Sequence, residues 1–127
     1  MKKIKIKRIY DEPSSNDGYR ILVDRLWPRG ISKEKAAIDE WNKDLAPSTE
    51  LRKWFHHAAE LFDLFEEKYR NELSEQTTAI KHVMEINKHR DISLLYGAKD
   101  PNINHAIVLL DVIKYKINDY EQSNKKK

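Results

Sequence analysis

Two short apolar runs, Ile21-Leu22-Val23 and Ile92-Ser93-Leu94-Leu95-Tyr96, are each closed off by turn-forming residues, and helical repeats lie between them. A short run lacking polar alternation suits a strand covered on both faces, and such strands joined through helices suit a parallel sheet. The first run lies in a strand expected over Tyr19–Leu26. It follows Asp11-Glu12-Pro13-Ser14-Ser15-Asn16-Asp17-Gly18, which is all turn chemistry, and it ends at Trp27-Pro28-Arg29-Gly30. Proline there offers no N–H to a ladder and glycine permits a sharp turn. Lys3-Ile4-Lys5-Ile6-Lys7 alternates with period two and predicts a half-buried strand reaching about Tyr10.

Helical signals fill the rest. Ser32 is placed to cap a short helical turn running through Ala37, whereas Ile38 to Leu45 reads as a strand or extended segment. Ser48 is the expected N-cap of the next helix, with Glu50 in its first turn and Leu51, Trp54 and Phe55 as its apolar stripe. Ala58, Leu61, Phe62, Phe65, Tyr69 and Leu73 recur at three and four and predict an amphipathic helix. Ala79, Ile80, Val83, Met84 and Asn87 continue the pattern in another, and Ile103 to Tyr120 marks a long last helix. Trp27, Trp41 and Trp54 each adjoin apolar residues and are expected to anchor cores. The order predicts one α/β domain over residues 1–122, a small and mostly parallel sheet flanked by helices in a single layered sandwich. Residues 123–127 read as a basic, disordered tail.

At 127 residues the chain has room for one core and needs no staple. It contains no cysteine, which excludes disulfides, thiolate metal sites and thiol nucleophiles. The longest apolar run, Ala106 to Leu110, falls far short of the roughly twenty residues of a membrane span. The basic start lacks the apolar stretch of a secretion signal, so a cytoplasmic protein without membrane attachment is expected.

The formal net charge of +3 hides a division. Residues 1–8 and 125–127 hold eight basic residues and no acids, leaving 16 basic against 21 acidic residues between them. The body is therefore acidic, while residues 19–35 reverse the sign with five basic residues against two acidic. A nucleic-acid partner would call on the basic first strand, Lys2 to Arg8, and the tryptophans.

No phosphate loop, dinucleotide fingerprint, HExxH or GxSxG motif occurs. His56 and Glu60 have the spacing of a metal pair on a helix, a spacing that ordinary surface pairs share. Adjacent His56 and His57 point to different helix faces, and no metal or cofactor is expected. The chemistry lies instead beyond the carboxyl ends of two strands, where parallel sheets place ligands. The first delivers Asp24 and Arg25, then Arg29 and Lys33; the other delivers Tyr96, Lys99 and Asp100, then Asn104 and His105 at the start of the last helix. If the two strands are parallel neighbours, these groups converge beside a helix N-terminus. Arg25, Arg29, Arg52, Lys99 and Asn104 would hold an anion, His105 and Asp24 would handle protons, and Tyr96 would donate to an oxyanion. Plainer roles compete: Asp24 or Arg25 in a buried pair with Arg20 or Lys43, His105 on a loop carbonyl, Asp100 in a turn.

The stretch Asp17-Gly18-Tyr19-Arg20-Ile21-Leu22-Val23-Asp24-Arg25-Leu26-Trp27-Pro28-Arg29-Gly30 is distinctive. Together with Ala46 to Phe55, Tyr69 to Leu73 and Leu94-Leu95-Tyr96, it resembles the YeaO-like branch of the family catalogued as domain of unknown function 488, over about residues 4–115. The resemblance implies a small bacterial-type α/β domain and no particular activity. A related branch carries Cys-His-Arg before the last helix, where this chain has Asn104-His105-Ala106, so thiol chemistry of that kind cannot run here. Two functional readings follow. One is a metal-independent enzyme acting on a phosphorylated or otherwise anionic metabolite or nucleotide. The other is a non-catalytic module binding a nucleotide, nucleic acid or protein.

Overall fold

The computed structural model describes residues 1–125. Four strands, β1 (Ile4–Arg8), β2 (Tyr19–Leu22), β3 (Glu40–Trp41) and β4 (Ile92–Tyr96), form one sheet in the order β1-β4-β2-β3. Every pairing is parallel, so all the carboxyl ends lie at one edge. The last strand in sequence sits in the middle, between β1 and β2, and all five of its residues are buried. That is why its run lacks polar alternation.

Five helices accompany the sheet: α1 (Lys33–Ala36), α2 (Thr49–Phe55), α3 (Phe62–Ser74), α4 (Thr77–Asn87) and α5 (His105–Lys125). Ile21, Val23, Ile92, Leu94 and Tyr96 join side chains of α2 to α5 in the larger core. Leu22 and Leu95, on the other face, pack with Ile9 and Ala36 under Trp27, Ile31, Ile38 and Trp41. Each fully buried aliphatic side chain contributes about 1.5–3 kcal/mol.

The half-buried first strand holds a surprise on its polar side. Lys5 and Lys7 reach Asp17, which is completely buried and also paired with Arg20. Asp17 closes a capping box with Ser14 over a 3-10 turn, Ser15–Asp17. Burial alone would raise its carboxyl, but the bonds from the Ser14 N–H, Lys7, Lys5 and Arg20 hold it well below the usual carboxylate range. Gly18 follows at φ +67, where a Cβ would overlap the Asp91 carbonyl.

Several expected boundaries move. The strand expected over Tyr19–Leu26 ends at Leu22, because after the Val23 N–H bonds Leu95 O the Asp24 carboxylate takes over the next donor, Gly97 N–H. The first strand stops at Arg8, with Ile9 N–H still on Tyr96 O. Residues 38–45 yield a two-residue strand and then a 3-10 turn, Lys43–Leu45, since the Asn42 side chain accepts the Asp44 N–H. His56 and His57 are not helical: both adopt left-handed φ, 45 and 56, and break the chain between α2 and α3. A 3-10 turn, Ala59–Leu61, precedes α3, so Ala58 and Leu61 fall outside the helix that their spacing predicts. Trp54 is no core anchor; it is 41% exposed beneath the Lys68 ammonium. Trp27 and Trp41 do pack, edge to face, over the smaller core. Finally, α5 carries on through Lys125, so residues 123–125 are helical, continuing a ladder already anchored by Ile113 and Ile117. Residues 126 and 127 of the expected tail lie outside the described residues.

Candidate functional site

Parallel pairing of β2 with β4 sets Leu22 beside Leu95, so the segments that leave the two strands run together. Asp24 and Gly97 meet there: the Gly97 N–H donates to Asp24 Oδ2 at 3.0 Å. A Cβ on Gly97 would stand 2.9 Å from that oxygen, so glycine is what lets the strand ends close. Asn104 caps α5, its Oδ1 accepting the Ile107 N–H and its Nδ2 donating to Asp100 O. His105 thereby becomes the first residue of the helix and faces back toward β2. Its Nε2 lies 3.0 Å from the Val23 carbonyl, which makes it the protonated nitrogen, and 3.2 Å from Asp24 Oδ1. The N–H is aimed at Val23 O, so Asp24 Oδ1 is left buried without a hydrogen bond.

A cleft of about 400 Å³ opens over this point. Asp24, Arg25, Arg29, Arg52, Lys99, Asn104 and His105 all line it, brought from the loop after β2, from α2, from the β4–α5 connection and from the start of α5. Aromatic walls come from Tyr10, Trp27, Phe55, His57 and Phe65. The cationic groups are not equally free. Arg25 donates from Nε to Pro47 O and from Nη2 to Ala46 O, which ties the segment leading into α2 to the loop after β2. Arg52 Nε is buried with no partner, whereas Arg29 and Lys99 are exposed. Trp41 Nε1 on Asp24 O and Tyr10 Oη on Arg29 O pin the loop after β2.

Tyr96 stands apart from the other expected site residues. It alternates with Leu95 and faces the larger core, only 3% exposed, and does not line the cleft. Burial pushes its phenol up, with the Arg8 charge opposing. Lys33 starts α1 and is likewise not part of the lining. The alternative pairs for Asp24 do not form: Arg20 serves Asp17, and Lys43 lies over the Trp41 ring. Asp100 is a turn residue, its Oδ1 accepting from the Asn102 and Ile103 N–H groups.

Tyr10 and His57 escaped sequence reasoning. Tyr10 was within reach, since it follows β1, whose carboxyl end abuts that of β4. His57 carried no signal, because its place depends on the left-handed break after α2. A larger groove, about 640 Å³, lies between α3, α4 and α5, but Arg70 there is paired with Glu66 and Asp111, and Lys88 with Glu85. No group of three or more His, Asp or Glu side chains among the described residues could hold a metal ion. No helix among them is long and apolar enough to cross a membrane.

A family model described as the inactive DUF488-N3 subclade matches residues 3–127. The chain belongs to the DUF488 family. Within it, the chain is similar to the uncharacterized protein YeaO of Escherichia coli (strain K12), 49% identical over 111 residues, or 87% of this chain and 96% of YeaO. It is also similar to the uncharacterized protein Rv3073c of Mycobacterium tuberculosis, 34% identical over 111 residues, or 87% of this chain and 93% of that protein. No solved structure matches the chain. Membership in this YeaO-like family assigns no activity.

Proposed function

We propose that the cleft beyond β2 and β4 is a non-catalytic receptor for a small anion-bearing ligand, of the phosphate or carboxylate class. The observation that carries the reading is the convergence of Arg25, Arg29, Arg52 and Lys99, from three separate segments, on one cleft with a single acidic lining residue. Guanidinium forks suit such anions, and the start of α5 adds a positive dipole end. Asn104 spends its amide on capping and turn bonds, so it supports the anion by holding α5 in place rather than by touching it.

The enzyme reading draws on the facing pair of His105 and Asp24. The binding reading is favoured because the His105 N–H is held by a backbone carbonyl, a fixing role. The lining also contains no serine, threonine or cysteine to act as a nucleophile. Asn104 stands where the related branch resembled above has a thiol, and the subclade's description as inactive agrees with that.

The test is titration with inorganic phosphate, followed by backbone amide shifts. Wild type is expected to shift around Gly97, Lys99 and His105, and Arg52→Ala to weaken binding about tenfold or more, the loss of one charge-assisted bond. Arg52→Ala is expected to melt close to wild type, because no protein group accepts from its Nε. An absence of phosphate binding at roughly 50 mM salt, where ionic contacts are little screened, would overturn the proposal.

A further inference from the structure

The sheet has an open edge at β1. The strand pairs with β4 along one side only, and no strand among the described residues lies beyond it. Its N-terminal half borders a depression of about 480 Å³ beside α5. Lys2, Lys3, Ile4 and Lys5 line this depression, with Lys114 and Ile117 from α5. Successive side chains of a strand point to opposite faces, so a depression lined by four consecutive residues runs along the strand's edge and bares its backbone. That backbone alternates as well. Lys3 O accepts the Ile92 N–H and the Ile9 N–H donates to Tyr96 O, so the odd-numbered residues turn their peptide groups toward β4. Ile4 and Ile6 turn theirs outward, where an added strand would meet them.

We propose that this edge receives an acidic, extended peptide segment of a protein partner, which joins the sheet as a fifth strand beside β1. Main-chain bonds to Ile4 and Ile6 hold the segment, and its alternating side chains meet two different surfaces. Its apolar residues lie on the side of Ile4 and Ile117, toward the larger core. Its carboxylates lie on the side of Lys3 and Lys5. The Lys5 side chain is 47% exposed although its ammonium also reaches Asp17. Charge names the partner. The one acid in the lining, Glu121, is held by the Met1 amino group at 3.3 Å, so Lys2, Lys3 and Lys114 set the sign of the depression. The same lysines repel a second copy of β1, as edge lysines commonly do. A nucleic acid suits the charge but not the surface. No aromatic side chain among the described residues lines the depression to stack a base, and Trp27 and Trp41 pack over the smaller core.

The probe is an end-blocked hexapeptide of alternating glutamate and valine, titrated into the isotope-labelled full chain. The Ile4 and Ile6 amides are expected to shift and to gain protection from hydrogen exchange, because a paired strand covers them. Two further copies are N-methylated, one at the glutamates and one at the valines. One of the two is expected to lose binding, since only alternate N–H groups of an added strand face β1. Lys2→Glu combined with Lys114→Glu, two exposed side chains, is expected to weaken the parent peptide about tenfold and to melt close to wild type. If the peptide shifts the edge without protecting Ile4 and Ile6, or if both N-methylated copies bind as the parent does, the contact is charge alone and the proposal falls. If single-stranded oligothymidylate binds this edge and the peptide does not, the partner is a nucleic acid and the proposal falls. If neither binds, it falls as well. Should the double variant fail to fold, the N-methylated probes still decide.

Discussion

Asp17 and Gly97 each make a demand on the structure that a single substitution exposes. Asp17 has no exposure to solvent and faces three cations. Removing one partner of a buried ion network typically costs about 3–5 kcal/mol, so Asp17→Asn is expected to lose that much near neutral pH. The pH dependence has a definite sign. The native carboxyl titrates below its ordinary value of 3.8, so its stabilisation is complete above that value and drains away as pH falls below it. Denaturant midpoints of wild type and Asp17→Asn are therefore expected to converge on acidification, and a constant gap would refute the assignment. Gly97→Ala acts on the cleft instead. Its Cβ, 2.9 Å from Asp24 Oδ2, would displace the carboxylate, a movable side chain, more than the backbone. The fold is expected to survive with a modest loss of melting temperature, and the proposed phosphate binding to weaken as the strand ends are pushed apart.

At the scale of elements, the site depends on how α5 begins. Asn104 caps it, and the same turn aims His105 at Val23 O. Asn104→Ala is expected to cost about 1 kcal/mol, a typical N-cap loss. It is also expected to weaken phosphate binding through a loosened helix start. If stability falls and binding is untouched, the cap serves the fold alone. The α2 start shows the same logic with a partner outside the helix. Ser48 accepts the Leu51 N–H as its spacing predicts, and it is held in turn by Glu72 of α3, at 2.5 Å from Oγ. The cap was legible from Pro47-Ser48 and Glu50, whereas the Glu72 bond was not, because nothing local to either helix specifies it. The break between α2 and α3 was illegible for a related reason. His56 and His57 in left-handed conformation are disfavoured locally and are maintained by packing, Phe55 stacking on Phe65 across the break.

Taken whole, the molecule concentrates positive charge where an acidic body has little. The net charge of +3 comes from the ends, and residues 9–124 carry an excess of acids. The anion proposed for the cleft would be drawn by local field rather than by overall charge. Phosphate affinity is therefore expected to fall severalfold as salt rises from roughly 20 to 300 mM, while melting temperature changes little. Salt-independent binding would place the phosphate outside this cleft.

The sequence alone determined the sheet's character and the side of it that matters. The unalternated runs at Ile21 and Ile92, separated by amphipathic helices, dictate buried parallel strands, because a strand covered on both faces has no wet side to make polar. With that topology, Asp24, Arg25, Arg29, Lys99 and His105 had to emerge at one edge. Tertiary structure alone decided which of them face one another. It turned Tyr96 into the core, engaged Arg25 with the Ala46 and Pro47 carbonyls, buried Asp17 under two lysines, and left Asp24 Oδ1 and Arg52 Nε without partners. Side-chain partnership depends on distances between segments remote in the chain, and local propensity and periodicity carry no information about those distances.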